Sequence, residues 1–184
     1  MQGPLVEQAR AGDEQAFASL ARGASDRLLS IAFRILRDLG LAEDAVQQTL
    51  VAAWRELPNL REVERFDAWL HRLLVNACYR ELRRGRPWSS NVRALPLDTP
   101  DRRDDANSVV QRDQLERGFR RLPAEQRAVF VFHHYLGLTL VEVADHIGIP
   151  VGTAKSRLHH ASAALRASLE ADARTSPQSE ERLA

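Results

Sequence analysis

Apolar residues recur at helical spacing along nearly the whole chain, and the pattern fails once, over an internal stretch rich in proline and charge. Leu28, Ile31, Ala32, Ile35, Leu36 and Leu39 follow the i, i+3, i+4, i+7, i+8, i+11 rule that lines one face of an α-helix. Ser25 is placed as its cap and Gly40 as its stop. Val46, Thr49, Leu50, Ala53, Trp54 and Leu57 repeat the spacing, and Pro58 ends it. Phe66, Trp69, Leu70, Leu73, Leu74 and Ala77 repeat it again in a helix expected to reach Arg84. With a shorter segment over 13–22, these predict a four-helix unit of roughly 85 residues, a size that folds alone.

From Gly85 to Asp105 the periodicity is lost. GRPWSSNVRALPLDTPDRRDD holds three prolines, turn formers and mixed charge, the composition of a linker. Helical spacing resumes near Ser108 and runs to Ala171, before a polar tail, TSPQSEERLA. The expected fold is therefore all-α: two small helical domains joined by a flexible linker, the second a helix-turn-helix domain. The boundaries are 1–86 for the first domain, 87–107 for the linker, 108–171 for the second domain and 172–184 for the tail.

Charge and cysteine content exclude several classes. Lys plus Arg is 26 against 25 for Asp plus Glu, a net charge of +1, which speaks against a strongly basic nucleic-acid coat. A single cysteine, Cys78, forms no internal disulfide and fits a reducing compartment. The start, MQGPLVEQAR, carries no secretory signal pattern, and no apolar run approaches the ~20 residues of a membrane span. A soluble, cytoplasmic protein is expected.

The sharpest local signal is LTLVEVADHIGIPVGTAKSRLHHA, residues 138–161. Thr139 and Glu142 have capping-box spacing, and Leu138 with Val143 suits a hydrophobic staple. Leu140, Val143, Ala144 and Ile147 make one short amphipathic helix, which Gly148 ends, with Pro150 beyond it. A second helix begins at Val151 with Ala154, Leu158, Ala161 and Leu165 on its buried stripe, completing a helix-turn-helix. Projection at ~100° per residue sets Gly152, Ser156, His159 and His160 opposite that stripe. Lys155 and Thr153 flank them, and Arg157 lies near the core edge. Small and polar residues at a helix start, followed by cations, suit entry into a DNA major groove; an ordinary helical hairpin with a solvated polar face is the alternative. Over 122–171, however, Arg127, Lys155, Arg157 and Arg166 balance Glu125, Glu142, Asp145 and Glu170. With phosphate neutralisation so limited, this unit alone should bind DNA weakly.

The helix from Phe66 carries a second stripe. Trp69, Arg72, Asn76, Arg80 and Arg83 fall within an arc of roughly 80°. An aromatic ring, an amide and guanidinium groups together can stack on unpaired bases and hold phosphates; a solvated arginine face with Trp69 at the core edge reads the same spacing. Arg84 and Arg86 add to the local positive charge. The preceding helix exposes Glu43, Asp44, Gln47 and Gln48, a surface that can dock a partner or face water.

LAEDAVQQTLVAAW, FDAWLHRLLVNACYRELRR and LPAEQRAVFVFHHYLGLTLVEVADHIGIPVGTAKSRLHHA together resemble a bacterial RNA polymerase sigma factor of the extracytoplasmic-function (ECF) group. The resemblance spans most of residues 13–170 in the expected order. It implies binding to core RNA polymerase through the helix holding Asp44, Gln47 and Gln48. It implies minus-10 promoter recognition by the loop with Asn59 and Arg61 and by Phe66, Trp69, Arg72, Asn76, Arg80, Arg83 and Arg84. It further implies minus-35 recognition by Val151, Gly152, Thr153, Lys155, Ser156, Arg157, His159 and His160, and an anti-sigma factor as regulatory partner. Gln48 stands where the family usually has an acid, and His71 where it has a Tyr. A stand-alone helix-turn-helix regulator is the competing reading, but no heptad seam or sensor domain is evident. A sequestering adaptor is a third. No catalytic residues, cofactor or metal are expected: His133–His134 and His159–His160 are adjacent pairs rather than i, i+4 ligand pairs.

Overall fold

The computed structural model describes residues 3–84 and 115–175, all of its regular elements helical. The linker 87–107, the helix onset near Ser108 and the tail beyond 175 lie outside the described residues. The first unit comprises α1 (Gly3–Arg10), α2 (Glu14–Leu36), α3 (Leu39–Glu56) and α4 (Phe66–Arg83), with short 3-10 turns at Leu57–Asn59 and Val63–Arg65. The second comprises α5 (115–121), α6 (Ala124–Phe130) with a π-helical continuation over Val131–Tyr135, α7 (Leu140–Ile147) and α8 (Val151–Thr175).

Two expected helix boundaries differ. The segments 13–22 and 28–39 are joined in one continuous helix as far as Leu36, α2, capped by Asp13 rather than Ser25, and Leu39 opens α3 instead. The Asp13 carboxylate accepts from Gln15 N at 2.9 Å and Ala16 N at 3.0 Å. Ser25 turns its hydroxyl back onto the Ala21 carbonyl at 2.6 Å, so it satisfies itself within the helix and ends nothing. Gly40 is not a stop either: it sits in the first turn of α3, behind the Asp38 cap. The α2 terminus falls instead at Arg37, whose φ of 61° places a non-glycine residue in the left-handed region.

The largest departure concerns how the two units relate. They share one apolar core, in which Leu28, Ile31 and Ile35 of α2 and Leu74 of α4 belong with Val129, Phe132 and Val143 of the second unit. The reason is visible on α4, which buries two faces. Leu70, Leu74 and Ala77 form the expected stripe, while Ala68, His71 and Val75 lie well around the helix from it and are also buried. His71 there meets Phe132, ring centroids 5.3 Å apart. A smaller cluster of Leu122, Ala161 and Leu165 closes the second unit.

Arginines tie the C-terminal end of α2 to the second unit. Arg127, 8% exposed, donates through Nε to the Ile35 carbonyl at 2.6 Å and through Nη1 to the carbonyls of Arg120 and Leu122 at 3.1 and 3.0 Å. Arg37 pairs with Glu116, and Arg34 lies over the Tyr135 ring at 3.8 Å. A helix C-terminus carries partial negative charge and open carbonyls, which is why cations collect there. Burial, with Arg120, Arg127 and Arg34 nearby, lowers the Arg37 guanidinium to about 10, still protonated at neutral pH.

Replacing Arg127 with methionine strands buried carbonyls, and Arg127→Met is expected to lower unfolding free energy by about 3 kcal/mol. Urea denaturation checks this against Arg121→Met at an exposed site, expected to stay within about 0.5 kcal/mol of the parent. Gly148, at φ 78°, has Arg72 Nε only 3.1 Å from the place a Cβ would take. Gly148→Ala should therefore cost about 1–2 kcal/mol, read as a lower thermal midpoint. Gly152→Ala, in open space, should leave the midpoint unchanged or raise it.

Candidate nucleic-acid interface

The helix-turn-helix is built by local interactions. The Thr139 amide donates to Glu142 Oε2 at 2.8 Å, and the Glu142 amide donates to Thr139 Oγ1 at 3.3 Å, so each residue satisfies the other's open donor. The Thr139 hydroxyl also donates to Glu142 Oε2 at 2.7 Å, and with the Thr139 amide it holds the Glu142 carboxyl below the usual carboxylate range. Gly148 and Ile149 both donate to the Ala144 carbonyl, at 2.9 and 3.0 Å, closing α7. The amides of Thr153 and Ala154 bond Pro150 O at 2.9 and 3.0 Å and open α8.

On α8 the buried residues among those described are Ala154, Ala161 and Leu165. Val151, Gly152, Lys155, Ser156, His159 and His160 are exposed, with Thr153 and Arg157 half-buried at the margin. The face projected from the sequence is thus continuous and open. Small residues lead, followed by the chain's single lysine and two imidazoles, a row of groups able to hydrogen-bond base edges.

The stripe on α4 is divided. Asn76, Arg80, Arg83 and Arg84 are exposed, and Trp69 is half-buried. Arg72, although its side chain is 45% accessible, is taken up by the second unit: Nη2 donates to the Asp145 carbonyl at 2.7 Å and lies 3.6 Å from the Asp145 carboxylate. Phe66 is 6% exposed and packs 5.8 Å from the Trp69 ring. It supports the surface from beneath rather than presenting itself, as its place on the core stripe required. Asn59 and Arg61, in the connection before α4, are exposed.

A third surface lies between α3 and α4. Gln47, Gln48, Val51, Arg80 and Arg84 line an open groove of about 530 Å³. Gln47 is exposed, Asp44 and Gln48 half-buried. Gln48 donates to Glu81 at 2.5 Å, and Arg84 donates to the same carboxylate oxygen at 2.8 Å. Glu81, 3% exposed, is an anchor that helical spacing did not reveal. Trp54, expected on the buried stripe, is 38% exposed and meets Phe17 at 5.0 Å.

Sequence reasoning also missed the seam between α4 and α7. Arg65 pairs with Asp145, and His71 meets His146 with their Nδ1 atoms 2.8 Å apart; elsewhere on α4 the hydroxyl of Tyr79 is buried with no hydrogen-bond partner among the described residues. Burial pushes the Tyr79 phenol up. Cys78 is fully buried, its thiol pushed up to about 12 by that burial, which makes it a packing residue at neutral pH. Among the described residues no three His, Cys, Asp or Glu side chains gather as metal ligands, and no helix is long and apolar enough to cross a membrane.

Comparison with known proteins accounts for both units. The Sigma-70 region 2 family matches residues 20–87, and the Sigma-70, region 4 family matches residues 112–165. The ECF RNA polymerase sigma factor SigM of Mycobacterium tuberculosis is 32% identical over 155 residues, covering 84% of this chain and 78% of that protein. SigW of Bacillus subtilis, also an ECF sigma factor, is 26% identical over 182 residues, covering 89% and 94%. Among solved structures, CnrH in complex with the cytosolic domain of CnrY superposes with a TM-score of 0.65 at 27% identity, over 93% of this chain and 98% of that one. RpoE of Bartonella quintana, solved with the anti-sigma factor NepR, shares the fold at a TM-score of 0.62 and 24% identity, over 85% and 98%. Two sigma regions in order, relatives matched over most of their length and an all-helical pair of units with an open helix-turn-helix agree: the chain belongs to the ECF sigma factors of RNA polymerase.

Proposed function

We propose that this sigma factor binds core RNA polymerase and directs promoter-specific initiation through two DNA-reading faces, one on α8 and one on α4. The observation that carries the reading is that each face stands clear of its helix's buried stripe, while the α3–α4 groove remains open beside the second. In this assignment α8 enters the minus-35 major groove, with Lys155, Ser156, His159 and His160 toward base edges and Val151, Gly152, Thr153 and Arg157 around them. Asn59, Arg61, Trp69, Asn76, Arg80, Arg83 and Arg84 engage the minus-10 element, with Phe66 bracing Trp69. Asp44, Gln47 and Gln48 contact polymerase. Arg72 reaches DNA only when Asp145 has moved away.

Charge supports the division of labour. Arg127, counted among the cations of the second unit, is interior and unavailable to phosphate, so that unit has less positive charge on its surface than its sequence suggests. Polymerase contacts then supply the holding energy and sigma the selection, which disfavours the stand-alone regulator. The family acts in transcription initiation and is not one of enzymes, and the proposed location is the cytoplasm, at the nucleoid when active. CnrH and the Bartonella RpoE were solved with CnrY and NepR, and an anti-sigma factor is proposed here by that likeness.

Pull-down with core polymerase and run-off transcription from genomic fragments test the whole reading. Stable binding with fragment-specific transcripts is expected; tight sequence-specific DNA binding without polymerase would reverse it in favour of the stand-alone regulator. Lys155→Ala or Ser156→Ala should weaken minus-35 discrimination by about tenfold per lost base contact while polymerase binding is unchanged. Loss of polymerase binding would remove that assignment. Asn76→Ala combined with Arg80→Ala should slow promoter opening more than it weakens duplex binding, measured by permanganate footprinting beside a gel shift. Equal losses would reduce this part of α4 to a phosphate contact.

A further inference from the structure

The seam between α4 and α7 brings two imidazoles together where both cannot be cations at once. His71 Nδ1 and His146 Nδ1 stand 2.8 Å apart, so one must donate and the other accept through its bare lone pair. His71 is 3% exposed, and its Nε2 is buried with no partner among the described residues. The pair is walled by the Phe132 ring, 5.3 Å from His71 and 6.2 Å from His146. If both rings were cations, two N–H groups would point at each other across that gap, and the second N–H of His71 would face no acceptor.

The surrounding charges are already matched. On α2 and α4, Arg27 pairs with Asp67 at 2.7 Å. Arg65, in the turn before α4, and Arg72 of α4 face Asp145 of α7, and the Glu142 carboxylate is held in the α7 cap. Asp145, Asp67 and Glu142 favour a cation on His146, and Asp67 one on His71, but burial outweighs them, and each carboxylate already holds another donor.

We infer that the His71–His146 pair is an acid-released latch, which holds the helix-turn-helix unit against α4 while neutral and frees it when both rings are protonated. Release would carry Asp145 away from Arg65 and Arg72 and lift Gly148 from its seat on Arg72, opening the covered edge of the α4 face. That consequence for promoter access rests on the minus-10 reading of α4; the opening itself does not. The direction of the pH dependence follows from the closed state. Burial pushes His71 down to about 4, with Arg27 and His146 adding to the shift, and burial lowers His146 as well. The closed form therefore binds fewer protons than the open one below the ordinary histidine value of about 6.5. Closure is complete above that value and is lost as pH falls toward about 4, by up to tenfold per pH unit for each proton taken up.

The experiment is energy transfer between dyes on the full chain, attached at Ser19→Cys and Ala164→Cys, both exposed positions, with buried Cys78 left unlabelled. Transfer and far-UV circular dichroism are followed together from about pH 7.5 to about pH 5. The expected result is loss of transfer below about pH 6.5 with the helical signal retained. His146→Gln, and independently His71→Leu, should open less steeply than the parent over the same range, because each can take up one proton on release instead of two. Flat transfer in the parent chain would overturn the latch. So would opening of both variants in step with the parent, or loss of helical signal together with transfer. None of these readouts uses DNA or polymerase, so failure of the latch leaves the promoter reading standing, and failure of that reading leaves the latch testable.

Discussion

A guanidinium group inside the protein sets the arrangement on which the two faces depend. Arg127 reaches out of α6 and donates to Ile35 O at the end of α2, while also bonding the carbonyls of Arg120 and Leu122 in its own unit. The carbonyls it satisfies belong to backbone that no longer continues as helix, so without it they would be buried and unpaired. Because it serves both units at once, it fixes where the second begins relative to the first. Arg37 and Glu116 repeat the tie nearby.

From that fixed corner the second unit leans along α4, and the consequences for the two candidate faces are unequal. The outward side of α8 is untouched, because its buried stripe of Ala154, Ala161 and Leu165 faces the interior. On α4 the seam takes one edge of the arginine stripe and leaves the other. Arg72, at the edge nearest α7, is held by Asp145, while Asn76 and Arg80 remain in solvent. The contacts doing this are mixed in strength. Exposed pairs such as Arg65–Asp145 are screened and contribute little, whereas Phe132 and His71 are desolvated and carry the packing.

Much of the fold was legible in advance. The three apolar repeats located α2, α3 and α4, and the charge-rich break separated the two units. The errors were at helix ends and on second faces. Ser25 has the chemistry of a cap, yet Asp13 lies ahead of it with a free carboxylate, and nothing between them breaks the helix. Trp54 has the spacing of a core residue, but packs against Phe17 near the surface because α3 is covered on one side only. Arg127 was counted as surface charge because periodicity records where apolar residues lie and says nothing of an arginine whose acceptors are carbonyls elsewhere.

What the amino-acid order determined alone is what its near neighbours can enforce. The Thr139–Glu142 box, the left-handed Gly148 and the polar row on α8 involve residues a few positions apart, so helix geometry alone assembles them. The tertiary structure decided which of the exposed-looking cations are free. Arg127 bonds a carbonyl 92 positions away, Arg72 one 73 away, and His71 meets a ring 75 away. Such pairings leave no local periodicity, because they depend on how two amphipathic units bury their second faces against each other.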